Sequence, residues 1–162
     1  MACNMDTATP ESLFTPELIT WIKDNIPLLK TMEVSFDQFK NGELVISCPL
    51  APNINDKGTA FGGSIAALAT ICGWLFTTLH ARTHVKDCAA VIADSQLTYH
   101  APGKGHISAH CSAVVPNKFF DRLNEHRNAK LELTVELYST EKEEQSSTNI
   151  ATYKGIYVAM PE

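Results

Sequence analysis

Residues 53–79 read NINDKGTAFGGSIAALATICGWLFTTL, and no charged side chain occurs between Lys57 and Arg82. Ala66, Ala67, Ala69 and Gly73 are interleaved with Ile65, Leu68, Ile71, Trp74, Leu75 and Phe76, so residues 61–79 offer no polar face. A helix that is apolar all round is a buried helix. About twenty apolar residues would also cross a bilayer. Here Ser64, Thr70, Thr77, Thr78 and the glycines dilute the run, and no basic flank or second span follows. The expectation is a central helix enclosed by a sheet and reached through the loop NDKGTAFGG, residues 55–63.

On the N-terminal side, about ten polar residues precede Thr15-Pro16, a cap followed by the residue best suited to a first helical turn. Leu18, Ile19, Ile22, Ile26 and Leu29 recur near helical spacing, which predicts an amphipathic helix to about Asn25 that continues raggedly past Pro27. Residues 32–50 carry two short alternating runs joined by Lys40-Asn41-Gly42, and Asn-Gly between such runs signals a hairpin. On the C-terminal side, 82–87 is a polar loop and the remainder is strand-like. Residues 89–100 stop at Ala101-Pro102-Gly103, and 105–115 stop at Pro116. Residues 117–128 read as a long loop or short helix, and 130–139 and 149–160 alternate around an acidic turn containing Glu141, Glu143 and Glu144. Helix, two strands, buried helix and four strands make an α+β domain whose antiparallel sheet curls around one helix.

Composition narrows the function classes. A chain of 162 residues, 44% hydrophobic and 19% charged, forms one globular domain with a sizeable core. A net charge of -5 gives no general attraction to nucleic acid or anionic membrane, so a polyanionic ligand needs a local cationic cluster. Cys3, Cys48, Cys72, Cys88 and Cys111 are odd in number and scattered, as expected of reduced thiols in a cytoplasmic protein. The N-terminus lacks a basic region followed by an apolar core, so no secretory signal is expected.

The motif Asn55-x-x-Gly58-Thr59-x-x-Gly62-Gly63, then a small-residue helix, a polar loop and a strand ending in Tyr99-His100-Ala101-Pro102, resembles the hotdog-fold thioesterases. The group it resembles most is the thioesterase-like domain also found fused to some bacterial acetyltransferase-type proteins. The resemblance covers roughly 32–160 and treats 1–31 as a tail and accessory helix. It implies a hotdog fold, an acyl-CoA or acyl-carrier-protein thioester as substrate, coenzyme A only as part of that substrate, no separate cofactor, and a homodimer, with a tetramer as the alternative.

Read physically, consecutive glycines let a ligand approach the backbone, and the first amides of a helix are unpaired donors at the positive end of its dipole. Gly62 and Gly63 are therefore candidate oxyanion donors for a thioester carbonyl attacked by water; equally, they serve close packing of the loop against the sheet. Asn55 stands where the resembling enzymes place an amide that positions water or carbonyl, with Asn53 as neighbour; both also suit turn capping. The departures are specific. Many relatives carry His before the glycine pair where this chain has Phe61, often a carboxylate on the helix where it has Thr70, and sometimes Ser where it has Ile92. A general base contributes typically 10²–10⁴-fold, so its loss points either to a replacement or to a binding protein that does not cleave. Thr70, through its hydroxyl, and Asp94, the only charge in strand 89–100, are the candidate replacements, although strand alternation turns Asp94 away from the helix and Thr70 can bond back along it. Lys57, Gly58, Phe61, Arg82, Lys104 and Lys118 are the candidate substrate-binding residues, the cations for the coenzyme phosphates. No metal is expected, because the pairs His80/His84 and His106/His110 lack a third ligand. Cys72 and Cys88 have no identified activating base.

Overall fold

A computed structural model describes residues 8–142 and 146–162. Cys3, Glu143 and Glu144 lie outside the described residues. Three short helices open the chain: α1 (Pro10–Leu13), α2 (Pro16–Asn25) and α3 (Leu28–Thr31). Thr9 and Thr15 cap the first two, their hydroxyls accepting the Ser12 and Leu18 N–H groups. The helix does not run through Pro27, because Ile26 must leave the helical region to precede a proline (φ -124°, ψ 81°). α3 is therefore a separate turn. Leu29 and Ile22 are nonetheless fully buried in the same core as the rest of the chain.

β1 (Ser35–Lys40) and β2 (Glu43–Cys48) form the expected hairpin, with Asn41 and Gly42 at φ 51° and 77°, the left-handed pair that a tight two-residue turn requires. α4 (Gly62–Arg82) follows, then β3 (Cys88–Tyr99), β4 (His106–Cys111), α5 (Asn117–Asn124), β5 (Ala129–Thr140) and β6 (Ser147–Pro161). The six strands form one antiparallel sheet in the order β1-β2-β4-β5-β6-β3. Leu131, Leu133, Val135 and Leu137 of β5 and Tyr153, Tyr157 and Ala159 of β6 point inward and are buried. Glu132, Thr134 and Lys154 point to water. Against the inner face lie Leu68, Cys72, Leu75, Phe76 and Leu79 of α4, all inaccessible to solvent. The helix is long and apolar enough to cross a membrane, and the sheet wraps it instead.

β4 ends at Cys111, short of the Pro116 breaker, and 112–115 runs on as irregular chain. β3 departs from simple alternation. Between Ile92, opposite Tyr157, and Asp94, opposite Ile156, one extra residue, Ala93, is inserted. That bulge moves Val91 to the outer face, opposite Val158, while Leu97 and Tyr99 stay on the inner face. Unbroken period-two alternation would group Val91 with them.

His80 sits in this core with its ring against Phe76 (centroids 4.2 Å) and Phe39 (5.8 Å), and its Nδ1–H donates to the Phe76 carbonyl at 2.8 Å. Burial lowers its pKa from 6.5, outweighing the Phe76 carbonyl and the charge of Glu11. Below pH 6.5 the unfolded chain therefore binds the proton more readily, so stability is fully present above that pH and declines as pH falls toward the folded value. The denaturation midpoint is expected to drop between pH 7 and 5.5, and the slope of midpoint against pH to be shallower in His80→Gln. Equal slopes would show that His80 does not carry the effect.

Candidate active site

The loop before α4 is held by two asparagines. Asn53 is buried, and its Nδ2 donates to the Met32 and Pro49 carbonyls (2.9 and 2.8 Å) while its own carbonyl accepts the Phe61 N–H at 2.7 Å. It ties the end of α3, the end of β2 and the start of α4 together. Asn55 closes the turn itself: Oδ1 accepts the Lys57 and Thr59 N–H groups (2.9 and 3.1 Å), and Nδ2 donates to Thr59 Oγ1 at 3.0 Å. Gly58, at φ 75°, completes that turn. The Ala60 N–H then donates to the Gly103 carbonyl at 2.8 Å, which docks the loop on the segment after β3.

α4 begins without a cap. Its N-cap residue is Phe61, which has no side-chain acceptor, and no acidic residue stands in the first turn. Ile65 N–H is the first amide to find the ladder, bonding to Phe61 O at 3.1 Å. Among the described residues no acceptor reaches the Gly62, Gly63 or Ser64 N–H groups, so three donors are left unpaired at the positive end of a long helix. Aromatic rings frame it. A Cβ on Gly62 would lie 3.2 Å from Tyr99 Oη, and one on Gly63 would run into the Phe61 ring.

The other candidates divide. Thr70 lies on the same side of α4, about 10 Å further along at ~1.5 Å rise per residue, and its Oγ1 donates back to Ala66 O at 2.8 Å. It helps line an apolar cleft of about 330 Å³ with Ile26, Leu28, Ala67, Trp74 and Ile92. Asp94 is on the outer face of the sheet and exposed, with β3 itself between it and α4. It does not reach the start of α4. Lys104 follows Gly103 beside the loop and lines a cleft of about 450 Å³ with His106 and Lys142. Lys57 is engaged with Asp56 at 2.9 Å. Arg82 ends α4, about 30 Å from Gly62 at the same rise. Lys118 belongs to α5, whose Asn124 meets His84 beyond that end, and it lines a different cleft with Arg122 and Lys130. The cations thus form two separate groups rather than one rim.

Among the described residues no three His, Cys, Asp or Glu side chains converge as a metal site would require. Burial pushes the Cys48 and Cys111 thiols up to about 12 and raises Cys72 and Cys88, which leaves none of them a ready nucleophile. Tyr99 is visible in the sequence only as part of a strand-end motif. Its position over Gly62 comes from the pairing of β3 with β6, which no local signal shows.

The fold is that of the hotdog thioesterases. Residues 15–161 match the model of a family described as "Putative thioesterase (yiiD_Cterm)", and the chain belongs to that family. A protein of unknown function from Chlorobaculum tepidum TLS is similar at 27% identity and a TM-score of 0.83, over 96% of this chain and 99% of that one. A structure described as a putative thioesterase from Shewanella oneidensis is 30% identical with a TM-score of 0.75, covering 91% of this chain and all of the other. Thioesterase HI1161 from Haemophilus influenzae shares the fold at 14% identity, with a TM-score of 0.72 over 93% and 94% of the two chains.

Proposed function

We propose that the protein hydrolyses an acyl-CoA or acyl-carrier-protein thioester by direct attack of water. The observation that carries this reading is the set of unpaired Gly62 and Gly63 amides at the uncapped end of α4, in a chain of a thioesterase family. As water adds to the thioester carbonyl, the oxygen gains negative charge. The two N–H groups and the helix dipole stabilise that charge without reorganising. The acyl chain then lies along α4 in the apolar cleft, and Lys104, His106 and Lys142 lie on the loop side for the phosphates of the carrier arm.

A homodimer accompanies this reading. β3 is a twelve-residue edge strand whose single charge is Asp94, and it exposes Val91 (45%), Ile92 (41%) and Tyr99 (52%). An edge of that length and polarity is an aggregation hazard that pairing with a second copy removes. The four described cysteines are all free thiols, which supports a reducing, cytoplasmic setting.

A second reading, binding without cleavage, is favoured by one observation: the Asn55 amide and Thr70 hydroxyl are spent within their own segments and Asp94 faces outward, so none of these three candidates serves as a base at the start of α4. One experiment separates the two. Purified protein is incubated with acyl-CoA thioesters of graded chain length and with acyl-carrier-protein thioesters, following thiol release, and its mass is measured by sedimentation. The expected result is turnover of at least one chain length by a species of twice 17.8 kDa. Tight binding with no thiol release would replace the hydrolase reading by the binding one, and a monomer would remove the dimer.

A further inference from the structure

We propose that Tyr99 is a positioning residue of this site, acting through the Gly62–Gly63 peptide; the inference rests on the thioesterase reading. Its phenolic O–H donates to the Gly62 carbonyl at 2.8 Å. That carbonyl and the Gly63 N–H are the two ends of one planar peptide group. A hydrogen bond accepted at the oxygen draws electron density from the nitrogen and makes the N–H a stronger donor, by about 10–30% per bond. The peptide already lies in the first turn of α4, where the ladder sets its plane, and the Tyr99 bond is a second restraint on the direction in which the Gly63 N–H points. An oxyanion donor must be oriented before the charge develops, because reorientation during the reaction forfeits its advantage.

Core packing does not account for this placement. Tyr99 is half-exposed at the end of an edge strand, on the inner face opposite Ala151, and its ring leans onto the helix terminus rather than into the sheet's interior. Gly62 leaves room for the approach, since a Cβ there would meet Oη at 3.2 Å and Cζ at 3.4 Å and press the ring back. Partial burial raises the phenol's pKa, so the hydroxyl keeps its proton and stays a donor throughout the neutral range.

The test is Tyr99→Phe, which keeps the ring and deletes the hydrogen bond. If a full oxyanion donor is worth about 10²–10³ in rate, losing 10–30% of its contribution lowers kcat by about two- to eightfold. With octanoyl-CoA, or whichever panel thioester turns over fastest, kcat is expected to fall within that range while KM stays within twofold. The Gly63 amide ¹⁵N resonance is expected to move upfield by more than those of Gly62 and Ser64. An unchanged kcat overturns the proposal, as does a Gly63 resonance that does not move. If the unaltered protein releases no thiol from any thioester, the hydrolase reading has failed and the amide resonance alone decides whether Tyr99 polarises the peptide. A merely structural tie between β3 and α4 would instead lower the denaturation midpoint and leave kcat as it was, although the Gly63 resonance would move.

Discussion

Gly62→Pro is expected to reduce kcat by about 10²–10³-fold, the usual effect of deleting one oxyanion donor, while Gly62→Ala is expected to lose no more than the roughly two- to eightfold of Tyr99→Phe. Proline removes the N–H and nothing else that the fold uses. Gly62 is the first helical residue, where the amide has no partner in the ladder and proline's fixed φ suits the backbone. The preceding residue must be extended, and Phe61 already sits at φ -67°, ψ 129°. The Phe61 N–H bond to Asn53 O, which orients the turn, is untouched. Alanine supplies the control, because it places the same Cβ near Tyr99 Oη at 3.2 Å but keeps the amide. The measurement is kcat and KM of both variants, with denaturation midpoints showing that each is folded. Equal turnover in the two would mean that the Gly62 amide does not touch the reacting oxygen.

The part of this site that could be read from the sequence is the part built on local chemistry. A charge-free stretch from 58 to 81 opened by two glycines is a buried helix with a naked amino end, and the structure shows just that. Asn41-Gly42 marks the hairpin, and alternation marks β5 and β6 almost to their ends. Asn55 closing its own turn is among the readings that its residue type allows. The remainder depends on register. An inserted Ala93 reverses the facing of everything on one side of it, so period two assigns Val91 wrongly although it places Asp94 correctly outward. The meeting of Tyr99 with Gly62 and of Tyr157 with Gly73 links positions far apart in the chain. Nothing within either segment foretells such contacts, because each is set by how strands pair and where the helix settles on them.

Gly73→Ala is expected to lower the denaturation midpoint by about 2–20 °C, at the usual 2–4 °C per kcal/mol for a chain of this size. In an ordinary exposed helix the same change would stabilise by ~1 kcal/mol through helix propensity. Here the added methyl would meet Tyr157 at 2.6 Å from Oη, 2.7 Å from Cε2 and 2.8 Å from Cζ. The ring has nowhere to go. It is fully buried, its O–H donates to the Thr70 carbonyl at 2.8 Å, and its oxygen receives the Tyr153 hydroxyl at 2.8 Å. Gly155 lies between the two rings, with a virtual Cβ 2.7 Å from each, so the pair is wedged from the sheet side as well. Overpacking of about 1–3 kcal/mol, added to about 1–3 kcal/mol if the ring moves and strands a buried hydroxyl, exceeds the propensity gain and sets the sign. Tyr157→Phe removes the nearest of the three atoms but leaves the ring edge, so the double variant should recover part of the loss, and the two changes should be non-additive. Because Tyr157 also lines the apolar cleft beside Thr70, the ring displacement should reach the bound acyl chain and raise KM for the longest thioesters first. A Gly73→Ala protein as stable as the parent would mean that the helix can lift away from the tyrosines, and the cleft would then not be the rigid slot that chain-length discrimination needs.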